Sequence, residues 1–102
     1  MAYVRLFLTS VDPEDLPEVQ RIFNDDVRPA LLGQPGCESV ELVANVQHNA
    51  GGLVEGAALS RWESLDTLEA ALATREVQES IVRVRSLLRQ EPVTKTYEVL
   101  DG

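Results

Sequence analysis

The sequence predicts an α+β domain of the ferredoxin-like βαββαβ type, with a four-stranded antiparallel sheet and two helices on one of its faces. Three observations lead there. Four segments alternate apolar and polar residues with a period of two, two segments carry apolar stripes at helical spacing, and the connections between them are short. The 102 residues, 44% of them apolar, suffice for one domain covering 1–102 and are too apolar for a disordered chain.

The first strand is read over Tyr3 to Thr9. Val4, Leu6 and Leu8 fall on one face and Tyr3, Arg5, Phe7 and Thr9 on the other. Asp12 offers a helix N-cap, Pro13 suits a first helical position, and Glu14 and Asp15 put negative charge at the positive end of the helix dipole. Because Pro17 complicates this start, Asp15 is an alternative cap. The stripe Leu16, Val19, Ile22, Phe23 and Val27 defines the buried side of the first helix. Pro29 lacks an amide donor and crowds the preceding turn, so a kink or an end is expected there, before Gly33, Pro35 and Gly36.

The second strand runs from about Ser39 to Gln47, with Val40, Leu42, Ala44 and Val46 on one face. Gln47 to Gly52 reads as a hairpin turn into the third strand, Leu53 to Trp62. Ser64 caps a second helix with apolar positions Leu65, Leu68 and Leu72. After an irregularity at Thr74 the stripe continues as Val77, Ile81, Val84 and Leu88. Val93 to Leu100 is the fourth strand. In this topology the first and third strands are central.

Two helices shelter one sheet face only. With the parity above, the other face carries Tyr3, Phe7, Val43 and Leu59 among Arg5, Glu41, Glu55 and Arg61. An uncovered surface of that kind calls for a partner, and a second copy related by a two-fold axis is the simplest, so a homodimer is expected.

Seventeen acidic residues against nine basic ones give a net charge of −8. With Arg83, Arg85 and Arg89 the only basic cluster, nucleic acid and anionic membranes are disfavoured as partners. The third strand also lacks the stacking aromatics of an RNA-binding sheet, reading Gly56-Ala57-Ala58-Leu59-Ser60-Arg61. One cysteine, Cys37, excludes an internal disulfide and a thiolate zinc site, so a reducing cytoplasm is the expected compartment. Met1 to Ser10 has no signal-peptide pattern, and no apolar run approaches bilayer length. Lone His48, in the polar hairpin, is read as a solvated loop residue without a partner carboxylate, and Cys37 as a small apolar residue rather than a nucleophile.

Gly56, Ala58 and Ser60 share a face with Trp62. If that face meets the helices opposite Leu6, Leu8, Leu72 and Ile81, an apolar pocket suited to a flat ligand results, with the indole at its mouth. The same small residues also permit close helix packing, and Trp62 equally suits a core plug; both readings stay open. Tyr97 and Tyr3 can either hydrogen-bond a phenolic ligand or pack across strands.

Ser60-Arg61-Trp62-Glu63-Ser64, running into a helix, and Gln34-Pro35-Gly36-Cys37, before the second strand, resemble the antibiotic biosynthesis monooxygenase family of dimeric α/β-barrel domains. The resemblance covers nearly the whole chain. It implies a dimer whose sheets pair into a barrel, with a pocket in each subunit between sheet and helices. Some members oxygenate aromatic polyketide-like or quinol substrates with molecular oxygen, using neither flavin nor metal; others degrade haem, and many have no established activity. The haem-degrading branch uses an Asn on the first strand, a Trp on the second helix and a haem-ligating His ten residues later. The ungapped match puts Val4, Ala71 and Ile81 at those places, so haem degradation is set aside.

The expectation is therefore a cofactor-independent monooxygenase acting on a small aromatic or quinol-type metabolite. Trp62, Ser60, Leu6, Leu72, Ile81 and Tyr97 are its candidate substrate-binding residues, with no cofactor. The alternative is a non-catalytic ligand-binding or structural homodimer.

Overall fold

The computed structural model describes residues 2–47 and 51–101. The element order is β1 (Tyr3–Val11), a 3-10 turn (Pro13–Asp15), α1 (Leu16–Ile22), a π-helical stretch (Phe23–Val27), α2 (Arg28–Leu32), β2 (Cys37–Ala44), β3 (Val54–Trp62), α3 (Leu65–Leu72), α4 (Arg75–Arg85) and β4 (Val93–Glu98). The strands form one antiparallel sheet in the order β2-β3-β1-β4, the ferredoxin-like arrangement with β1 and β3 central. The hairpin expected over Gln47 to Gly52 lies partly outside the described residues, and His48 lies wholly outside them.

The first helical segment does not end at Pro29. The amide of Arg28 donates to the carbonyl of Phe23, five residues back, and the helix resumes over Arg28–Leu32. A proline ring clashes with the carbonyl four residues before it, here that of Asp25. The widened π turn immediately upstream moves that carbonyl aside, so the chain absorbs the proline and still buries Val27, Ala30 and Leu31. Asp12 occupies the N-cap position, but its side chain caps nothing; its carboxylate instead pairs with the guanidinium of Arg89 across 77 residues.

The irregularity expected at Thr74 is a true break. Ser64 and Thr67 form a reciprocal capping box at the start of α3, and the Thr74 side chain accepts from the Val77 amide to open α4. Just upstream, Gly36 has φ +83, and a Cβ there would lie 2.5 Å from the Thr67 hydroxyl oxygen. Only glycine both adopts that backbone conformation and admits the threonine.

The register gives a correction to the predicted strand parity. Tyr3 faces Trp62, Arg5 faces Ser60, Phe7 faces Ala58 and Thr9 faces Gly56, and directly opposed residues share a face. Tyr3, Arg5, Phe7, Thr9 and Val11 therefore look toward the helices. Val4, Leu6 and Leu8 look outward, opposite Arg61, Leu59 and Ala57. The assignments for β2 and β3 hold: Val40 and Leu42 face inward, whereas Val43 and Leu59 face outward. On β1 both faces are largely apolar, so alternation alone did not say which was inner, and the single charge pointed the wrong way. The core lies between the inner face and the helices, from Val11 and Val54 through Phe23 and Val27 to Trp62, Leu68 and Val77.

Candidate functional site

Between that inner face and the helices the side chains leave an apolar cavity of about 140 Å³. Its floor is Phe7, Thr9, Leu42, Gly56 and Ala58 on the sheet. The missing side chain of Gly56 and the single methyl of Ala58 are what leave it open: these residues stand beside Phe7, Thr9, Leu42 and Ala44 in the register, and nothing larger rises from β3 at that level. The roof comes from Leu16, Val19, Phe23, Val27 and Leu31 on one side and from Leu72, Ile81, Val84 and Leu88 on the other. A dry engineered cavity of about 150 Å³ accepts benzene, so this volume matches one aromatic ring.

The segment joining α4 to β4 is tied to the end of β1. The Arg89 amide donates to the Ser10 carbonyl at 2.8 Å, the Thr9 hydroxyl to the Gln90 carbonyl at 3.0 Å, and the Ser10 hydroxyl to the Gln90 side-chain oxygen at 2.7 Å. Among the described residues three polar side chains reach the cavity wall: Arg5, Thr9 and Gln20. Gln20 is exposed, and Arg5 is half-buried, with burial holding its pKa below the ordinary guanidinium value.

Of the six candidate substrate-binding residues, the structure brings Leu72 and Ile81 to the cavity wall, with the expected small residues Gly56 and Ala58, and places the other four elsewhere. Leu6 and Tyr97 are on the outer face, Leu6 opposite Leu59 and Tyr97 opposite Val4, for the parity reason given above. Trp62 is 0% exposed and does not line the cavity. Its indole Nε1–H donates to the buried Ser60 hydroxyl at 2.8 Å, which commits Ser60 to the core as well. Tyr3 is on the inner face at the far end of β1, beside Trp62. Arg5, Phe7 and Phe23 were missed as cavity residues. The signal for the first two was the small-residue face of β3, which fixes the inner side of β1 once the pairing is known.

Cys37 donates a weak contact from Sγ to the Ser39 carbonyl at 3.8 Å across a β-bulge, and partial burial pushes its thiol pKa up. A raised pKa is the opposite of what an activated nucleophile needs. Among the described residues no three His, Cys, Asp or Glu side chains gather in a way that could hold a metal ion. No described helix is long and apolar enough to cross a membrane.

A split βαβ sheet with its helices on one face and an apolar cavity beneath them defines an α+β domain of the ferredoxin-like class. The family model for antibiotic biosynthesis monooxygenase matches residues 1–83, and the chain belongs to that family. Among solved structures it is similar to Rv0793 from Mycobacterium tuberculosis, at 17% identity and a TM-score of 0.75 over 100% of this chain and 98% of that one. A conserved protein from Methanosarcina mazei Go1 superposes with a TM-score of 0.78 at 15% identity, over 95% of this chain and 91% of that one. A mutant of SnoaB, a cofactor-independent oxygenase from Streptomyces nogalater, matches at 15% identity and a TM-score of 0.78, covering 99% and 95% of the two chains. At such identities the likeness establishes the shared fold. No curated protein matches the sequence significantly.

Proposed function

We propose that this protein is a cofactor-independent monooxygenase for a small aromatic or quinol-type metabolite, bound in the cavity between sheet and helices. The observation that carries the reading is the open, ring-sized, apolar cavity in a chain of this family. An inert structural domain has no need to keep Gly56 and Ala58 under an unfilled volume, since interiors otherwise close to high packing density.

The chemistry asks little of the protein. A hydroquinone and one molecule of oxygen give a hydroxyquinone and water, with all four electrons drawn from the substrate. An electron-rich substrate anion reacts with oxygen itself. Phe7, Phe23, Leu72 and Ile81 would hold the ring, orient it and exclude bulk water from the reacting carbon.

The working form in this reading is a homodimer in a reducing cytoplasm. Val4, Leu6, Leu8, Val43, Ala57, Leu59 and Tyr97 share the outer face with Glu41, Arg61 and Lys95. Val43 and Tyr97 are 42% and 51% exposed in the single chain. A second copy laid sheet to sheet covers them and pairs charges of both signs across the interface.

Oxygen uptake with a panel of single-ring hydroquinones and three-ring anthrones tests the activity. Turnover above the spontaneous rate, greater for the single-ring compounds, supports it, as does its loss in Ile81→Phe, which fills the cavity. Uptake at the spontaneous rate across the panel leaves the non-catalytic binding domain as the surviving reading.

A further inference from the structure

The chain has eight arginines, and seven of them have partners. Arg21 bonds Glu18, Arg28 bonds the Asn24 side chain and the Val40 carbonyl, and Arg61 bonds Glu38. Arg75, Arg83, Arg85 and Arg89 pair with Glu79, Asp26, Glu91 and Asp12. Arg5 is the exception: its guanidinium makes no hydrogen bond or ion pair among the described residues. Among the described residues it is also the one charged group on the cavity wall.

Its strand neighbours do not compensate it. Arg5 lies between Ser60 and Thr96. The Ser60 hydroxyl oxygen already accepts the Trp62 indole N–H, and Thr96 is exposed. Thr9, the next inward polar residue along β1, donates its hydroxyl hydrogen to Gln90. The ionisable side chains nearest in register on the same face are Tyr3 on β1 and Glu98 on β4, and none of the helix residues on the cavity wall is ionisable. In a protein with 17 acidic residues, leaving this one guanidinium uncompensated against an apolar cavity costs stability that a partner would return.

We propose that the partner is the ligand, and that Arg5 anchors a single-ring compound through an anionic oxygen, a phenolate or carboxylate, while the ring fills the cavity. This rests on the cavity being the binding site, and it deepens the proposed function by naming the charge of the substrate. For a quinol, the guanidinium favours the monoanion, whose proton leaves to solvent, and the monoanion is the form that yields electrons to oxygen. Charge-assisted hydrogen bonds of this kind are about twice as strong as neutral ones.

Two probes that differ by one hydroxyl test the assignment: 4-nitrophenol, whose ionised form is read by its visible absorption, and nitrobenzene. The expected result is that the phenolate binds about tenfold more tightly than nitrobenzene, so that bound nitrophenol ionises at a lower pH than the free compound. Arg5→Met should remove the preference while keeping nitrobenzene binding, and Arg5→Lys should keep most of it. Glu98→Gln should leave it intact. Nitrobenzene binding with no preference for the phenolate overturns the role of Arg5 and leaves the cavity as a site. Entry of neither probe overturns both. A phenolate preference without oxygen uptake on quinols upholds Arg5 and removes only the oxygenase chemistry.

Discussion

Trp62 and Ser60, two residues apart on the inner face of β3, form a closed pair: the indole Nε1–H donates to the serine hydroxyl at 2.8 Å, and both side chains are buried. The pair sits next to the cavity without opening into it, so that the indole is no part of the cavity wall.

Trp62→Phe removes that donor and part of a fully buried ring system while leaving the cavity wall unchanged. A loss of about 2 kcal/mol in chemical denaturation is expected, from an unfilled volume plus an orphaned hydroxyl. Binding of nitrobenzene should stay within about twofold of the unmodified protein, since neither Trp62 nor Ser60 lines the cavity. A large loss of ligand affinity at unchanged stability would return Trp62 to the site.

Gly36→Ala is expected to cost about 2 kcal/mol or more, for two separable reasons. The new Cβ meets the Thr67 side chain at 2.5–2.7 Å, and the backbone φ of +83 strains any other residue. Adding Thr67→Gly, which removes all three of the contacting atoms, should relieve the steric part and leave the backbone part, minus the capping box it sacrifices and the cost of a glycine in the helix. A double mutant cycle by thermal unfolding reads the coupling: a positive recovery supports the contact, and strict additivity of the two losses rules it out.

Most of the fold was legible because each element repeated its own signal. In the stripe Leu16, Val19, Ile22, Phe23 and Val27 the last four are buried and Leu16 packs against them, as the spacing demanded, and Ser64 caps the helix it precedes. Pro29 marked an irregularity, but the π turn that accommodates it and lets the helix resume is built from backbone bonds that no residue type announces. The cavity failed more instructively. Arg5 breaks the rule that the charged face looks outward, and one such break inverted the reading of β1 and carried Leu6 into the site on paper. Local rules are violated most often where a protein gives up stability for function.

The corrected parity changes which substitutions probe the outer face. Leu6 and Leu59 are opposed on it, so Leu6→Lys or Leu59→Lys puts a charge into the proposed interface. Either should give a monomer or insoluble protein in sedimentation, whereas the unmodified chain should sediment at twice 11.3 kDa. Phe7→Lys, one position along β1, should instead block the cavity and spare assembly. Stable dimers from both leucine variants would show that the interface lies elsewhere.

The thiol of Cys37 titrates above its ordinary value in the folded chain because burial disfavours the thiolate. The unfolded chain therefore releases this proton first as pH rises, binds fewer protons than the native state, and is favoured. The contribution is complete below the ordinary thiol pKa and is lost on the alkaline side, up to the raised value. Cys37→Ala should flatten that alkaline limb of stability against pH, and the native thiol should react slowly with maleimide at neutral pH. Rapid labelling of the folded protein would contradict the burial argument.

If Arg5 is held uncompensated for a ligand's sake, then the empty protein should be more stable without it. Arg5→Leu keeps the strand extended, exchanges a guanidinium for an apolar group beside Phe7, and breaks no hydrogen bond of that guanidinium to a described residue. Because the group is half-exposed, water offsets much of the desolvation cost, and the gain is set at up to about 1 kcal/mol. For a domain of this size 1 kcal/mol corresponds to about 4–8 °C in Tm, which is the upper bound of the rise. The sign is the test: a positive shift in the empty protein combined with lost phenolate binding is what a site residue gives, since its charge serves the ligand and not the fold. A guanidinium that held the structure together would give the reverse, a lower Tm whether or not the cavity was filled.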